Sequence, residues 1–245
     1  MLKKIRISLF IFVCSAFYNG FSQSLLTKNE DSKLYRSEDV LDSDYGITMY
    51  NHLILSIGGD SVRYTKEHFK LNGWKEDFYV NGTILHKGFY VDGKIKIFKN
   101  YYLNGSVERN FIELDLKKSK LELFYEDGKQ KSVILYNQGN AQNQYDFFRN
   151  GNPEYIEEND KHIEFLYKRN SYFENGIPES LFELIDKKQK RYSKKEFFTN
   201  GKIKEEGFMI FRKDMNDYQK DGIWNYFDQE GKLTKTETYY KGELL

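Results

Sequence analysis

Phe78-Tyr79-Val80-Asn81-Gly82 is the stretch on which the reading of this chain turns, because its pattern returns six more times. Two adjacent aromatic residues are followed by one variable residue, then Asn or Asp, then glycine. The further copies are Tyr101-Tyr102-Leu103-Asn104-Gly105, Phe124-Tyr125-Glu126-Asp127-Gly128 and Phe147-Phe148-Arg149-Asn150-Gly151. Tyr172-Phe173-Glu174-Asn175-Gly176, Phe197-Phe198-Thr199-Asn200-Gly201 and the stretched Tyr226-Phe227-Asp228-Gln229-Glu230-Gly231 complete the series. The glycine advances by 23, 23, 23, 25, 25 and 30 residues. Self-similarity at such a period means an array of one small unit, stacked on copies of itself.

Asn-Gly and Asp-Gly between β-favouring residues are strong hairpin signals, and a type I′ turn needs positive φ at both central residues. Gly82, Gly105, Gly128, Gly151, Gly176, Gly201 and Gly231 are therefore expected as structural turn positions. Short returning strands such as Thr83-Ile84-Leu85-His86 and Lys202-Ile203-Lys204-Glu205 follow them. A helix fits poorly, since a glycine every dozen or so residues would interrupt it. Midway lies a second, less regular set of turns, including Asp92-Gly93, Gln138-Gly139 and the long Asp214–Asp221. One repeat is then two strands and two turns. The expected fold is all-β: an elongated, twisted, single-layer antiparallel meander of tandem β-hairpins over residues 67–245, with 14 or more strands. Pro153 and Pro178 each sit two residues after a turn glycine, which suits the start of a strand.

Ahead of the array, Lys3, Lys4 and Arg6 precede a short apolar stretch from Ile7 to Phe17, and Gly20-Phe21-Ser22 supplies small residues. Residues 1–22 read as a signal peptide cut near Ser22/Gln23, too short to span a bilayer. The expected location is the periplasm, the outer envelope or the outside of the cell. Cys14, the one cysteine of the 245 residues, would leave with the leader, so disulfides are not expected to hold the mature chain. Residues 23–44 are polar and read as a tether. Residues 45–66 read as an N-terminal hairpin or cap, with Ile47–Ile57 turned by Gly58-Gly59-Asp60 into Ser61–Tyr64. Lys and Arg total 38 against 37 for Asp and Glu, a balance that points away from nucleic acid and from anionic membranes.

Towards the C-terminus, Gly222-Ile223-Trp224-Asn225-Tyr226-Phe227, then Gly231-Lys232-Leu233, then Tyr239-Tyr240-Lys241-Gly242-Glu243-Leu244, resembles the MORN-repeat variant family. Bacterial chains of that kind include the YwqK-type antitoxin-like proteins of toxin–antitoxin systems. The resemblance covers about Phe69 to Leu245, with Gly222, Trp224 and Tyr226 as its motif residues; the earlier copies mostly lack the glycine–x–tryptophan. It implies rows of β-hairpins and a scaffold or binding role towards protein or membrane partners. Export sets the antitoxin role behind the scaffold role, because an antitoxin meets its toxin in the cytoplasm.

Chemistry-bearing residues form no catalytic set. His52, His68, His86 and His162 lack the short spacings of a metal motif. Glu157, Glu158, Asp160, His162 and Glu164 read as a charged turn, and Asp214, Asn216, Asp217 and Asp221 lack the closing Glu of a calcium loop. No cofactor and no metal are expected. Adjacent strand residues point to opposite faces, so each aromatic pair gives one ring to each side. The second-position rings Tyr79, Tyr102, Tyr125, Phe148, Phe173 and Phe198 form one row, which either packs the sheet or offers a binding face. The leading expectation is an exported, non-enzymatic scaffold for another protein. A glycan- or envelope-polymer-binding module using one aromatic row is the alternative.

Overall fold

The computed structural model describes residues 33–245. The leader expected over 1–22, with Cys14, and residues 23–32 of the expected tether lie outside the described residues. The array is a single open sheet of sixteen strands whose spatial order is their chain order. A two-residue strand, β1 (Leu34–Tyr35), lies at one edge and pairs in parallel with β2 (Gly73–Tyr79). Every later neighbour is antiparallel. The strands run β3 (Ile84–Val91), β4 (Lys94–Tyr101), β5 (Val107–Glu113), β6 (Lys118–Phe124), β7 (Gln130–Asn137) and β8 (Asn140–Phe147). They continue as β9 (Pro153–Asn159), β10 (Leu166–Tyr172), β11 (Pro178–Asp186), β12 (Arg191–Phe197), β13 (Ile203–Arg212), β14 (Asp217–Phe227), β15 (Leu233–Tyr240) and β16 (Glu243–Leu244). Pro153 and Pro178 are the first residues of β9 and β11, where a missing N–H costs the ladder least.

The Asn-Gly turns are not type I′. All seven turn glycines have φ between 83° and 93°, but the residues before them are not in the left-handed region. The amide of Gly82 donates to the carbonyl of Tyr79, and that of Tyr79 to the carbonyl of Thr83. This is a type I turn over Val80-Asn81 followed by a left-handed glycine, the three-residue hairpin. The Asn side chain is the reason. Asn81 Oδ1 accepts the Thr83 amide at 2.9 Å, and Asn104, Asn150, Asn175 and Asn200 do the same for the residue two positions on. The type I′ geometry sits on the other edge, where Asp92-Gly93 and Gln138-Gly139 have positive φ at both residues.

Two further expectations are corrected. Lys33–Asp44 is no tether: β1 pairs with β2, a helical turn covers Ser37–Val40, and Asp42 bridges to Gly46. Residues 45–66 form no hairpin, but two 3₁₀ turns over Asn51–Leu53 and Leu55–Ile57. The apolar residues of this segment, Ile47, Tyr50, Leu53 and Ile54, recur about every third position, which suits 3₁₀-type turns better than the alternation of a strand. All four are buried against Tyr79, Leu85, Tyr90, Phe98, Phe111 and Leu121 on one face of the sheet. Burial of each apolar side chain contributes about 1.5–3 kcal/mol. A second cluster, Leu166, Phe182 and Tyr192 with Met209, Phe211 and Tyr218, lies further along the array.

The longest repeat puts its extra residues into strand rather than loop. β13 and β14 run ten and eleven residues. Glu206 pairs with Asn225 but Phe208 with Asp221, so Gly222, Ile223 and Trp224 stand opposite Gly207 alone.

Candidate functional site

On the face covered by residues 45–57, one cross-strand row can be followed through fourteen strands. It begins Asp77–His86–Asn100–Arg109–Leu123–Ser132–Asp146. It goes on through Tyr155, Ser171, Ser180, Glu196, Glu205, Tyr226 and Lys235. In six of the repeats the row holds the residue just before the aromatic pair and its partner nine positions later. It is mostly polar, and a residue flanking an aromatic pair carries no motif that would mark it in advance. The recurrence itself was the available signal.

The first half of the row is filled by the chain. Tyr50 stacks on His86 with ring centroids 3.8 Å apart and donates its hydroxyl to Asp77 Oδ2 at 2.8 Å. Arg63 donates to Asp77 Oδ1 at 2.5 Å and to the Tyr90 hydroxyl at 3.0 Å. Tyr90 in turn donates to His86 Nε2, and His86 Nδ1 donates to Asn100 Oδ1, each at 2.8 Å. Burial holds the imidazole neutral, lowering its pKa to about 4 against the opposing pull of Asn100 and Asp77. Further along, Arg109 donates to Asn51 Oδ1 at 2.7 Å and to the Tyr45 carbonyl, and Glu108 accepts the Ile47 amide at 3.2 Å. Burial raises Glu108 above the usual carboxylate range, although Arg109 opposes it.

Beyond Lys131, whose Nζ reaches the Asp44 carbonyl, the same face is open. Two cavities meet there at Tyr155. One, of about 740 Å³, lies between residues 41–51 and the sheet and is lined by Tyr102, Tyr125, Glu108, Asp146 and Glu154 among others. The other, of about 380 Å³, has Phe182, Met209 and Tyr218 with Ser171, Ser180, Arg169 and Lys194. Its aromatic wall is rigidly packed, Tyr218 meeting Phe182 and Tyr192 edge-on at 4.9 and 5.0 Å. Charges along it are mostly paired. Arg169 donates to Glu157 at 2.7 Å, and Lys194 lies 3.3 Å from Glu196. Burial pulls the Glu157 carboxyl up, yet bonds from Tyr155 and Arg169 hold it below its ordinary value.

Neither aromatic row is an exposed stripe. Tyr79 is fully buried, and Tyr102, Tyr125, Phe148, Phe173 and Phe198 are half-buried, as are the first-position rings. The tyrosine hydroxyls of the row are staples: Tyr79, Tyr102 and Tyr125 donate to the carbonyls of Tyr101, Phe124 and Phe147, one repeat on, at 2.7–2.8 Å. Trp224 is buried with its Nε1 on the Phe208 carbonyl, and Tyr226 accepts from Lys220 at 2.9 Å. The acidic cluster is dispersed: Glu157 pairs with Arg169, Glu158 with Lys168, and the Asp160 carboxylate accepts the amides of His162, Glu164 and Phe165. Asp214 pairs with Arg212. Among the described residues no helix is long and apolar enough to cross a membrane. No protein-family model matches the chain, and no curated protein matches it.

Proposed function

We propose that this chain is an exported binding scaffold that holds a segment of another protein along the open half of the polar row, without performing chemistry on it. One observation carries this reading: the first half of the same row is already a polypeptide-binding surface, occupied by the chain's own Ile47, Tyr50, Asn51 and Arg63. The open half continues that surface, with hydroxyls and paired charges beside an apolar wall. Such a mixture favours a partner with both polar and apolar side chains. The one histidine on the row, His86, is enclosed and neutral, so it supports packing rather than proton transfer. The sequence of residues 1–22 supports export.

The hydroxyls beside Phe182 and Tyr218 also suit a glycan, which is the second reading. Purification from the native envelope fraction separates them. A protein partner retained by the wild type and lost on Ser171→Arg/Ser180→Arg, with no retention on a glycan panel, supports the scaffold. Glycan retention lost in the same variant replaces it.

A further inference from the structure

We propose that the partner segment inserts an arginine against Asp146; this deepens the scaffold reading and rests on it. Asp146 occupies the register position of Asp77, three 23-residue repeats further along the row. At Asp77 the carboxylate is met by the guanidinium of Arg63. At Asp146 the hydrogen bonds come from neutral groups, the Ser132 hydroxyl at 2.5 Å on one oxygen and the Gln144 amide at 2.6 Å on the other. A carboxylate oxygen has room for two hydrogen bonds and each here receives one, so one acceptor site on each is left for a bidentate donor.

The surroundings carry charge of the matching sign. Asp146 lines the 740 Å³ cavity together with Asp42, Asp44, Glu126 and Glu154. Glu108, only 3% exposed, is engaged through Oε1 by Arg109 and the Ile47 amide, while its Oε2 atom, also at the lining, has no hydrogen-bond partner. The cations of the lining are engaged: Arg109 with Glu108 and Asn51, Lys131 with the Asp44 carbonyl, and Arg149 with Asp127 at 3.6 Å and over the Tyr125 ring at 4.7 Å. That last contact also demonstrates how a guanidinium packs on the row of rings. Arginine suits the site better than lysine because its planar fork satisfies both carboxylate oxygens while lying against an aromatic face.

The test is calorimetric titration of the purified full chain with the peptide acetyl-Gly-Ile-Tyr-Arg-Ile-Gly-amide and with the same peptide carrying citrulline, a neutral isostere, at Arg. The expected result is at least tenfold tighter binding of the arginine peptide. Asp146→Asn removes that preference and Glu154→Gln weakens it several-fold, whereas Glu179→Gln, outside the cavity, keeps it. Circular dichroism establishes that each variant is folded, and Glu154→Gln at the exposed rim serves if Asp146→Asn is not. Equal affinity for the two peptides, no binding of either, or a preference that survives the cavity variants overturns the proposal. A protein partner still captured through Ser171 and Ser180 alongside such a result leaves the scaffold standing, and loss of both removes it too.

Discussion

A Cβ built on Gly207 would lie 2.4–2.6 Å from three ring atoms of Trp224. The glycine is there for space, because the extra strand residues opposite it bring the indole onto its α-carbon. Gly207→Ala is expected to lower stability by about 1–3 kcal/mol, as overpacking against a rigid ring does, in urea denaturation. An unchanged midpoint would mean that the indole shifts at no cost. His86 carries a second consequence. The unfolded imidazole titrates near 6.5 and the folded one near 4, so the unfolded chain binds the extra proton between them. The contribution is complete above about pH 6.5 and is lost as pH falls towards 4, amounting to about 3 kcal/mol. Urea midpoints at pH 7 and 4.5 should therefore fall further apart for the wild type than for His86→Gln. Neither role was legible beforehand: one histidine and one glycine carry no pattern, and nothing local marks that Tyr50 stacks on the one or that extra strand residues press Trp224 onto the other.

Between elements, the unit of cohesion is the hairpin fastened to the next hairpin. Tyr79, Tyr102 and Tyr125 each span one repeat through a hydroxyl, whereas the equivalent Phe148, Phe173 and Phe198 have none to donate. Tyr102→Phe should lower stability by about 1 kcal/mol, and Phe148→Tyr should restore a similar amount by reaching the Tyr172 carbonyl. Thermal unfolding checks both, and a destabilising Phe148→Tyr would mean that the later repeats are spaced differently. Turn asparagines add a second set of staples, as Asn104 to the Glu126 carbonyl and Asn150 to that of Glu174. The hairpins themselves were readable from aromatic–aromatic–x–Asn–Gly. The turn type was not, because Asn-Gly serves two geometries; here the asparagine side chain caps the turn while glycine alone takes the left-handed position.

Across the whole sheet, protection should be graded rather than uniform, since each repeat touches only its neighbours. Strands β3 to β5 are buried beneath residues 47–57, while β15 is mostly exposed. Hydrogen exchange is expected to be slowest in β3–β5 and fastest in β15, with intermediate rates around Phe182 and Tyr192. Uniform exchange would instead indicate that the array opens as one unit. The repeat period, the strand–turn alternation and the sequential order of strands follow from the amino-acid sequence alone, because they rest on local turn chemistry and nearest-neighbour pairing. That residues 45–63 fold over one half of one face, and that the residues preceding the aromatic pairs align into a polar row, was decided by tertiary structure. Register within each hairpin follows from its turn, but the burial of Asp77, His86 and Tyr50 together depends on contacts far apart in the chain, which no local pattern encodes.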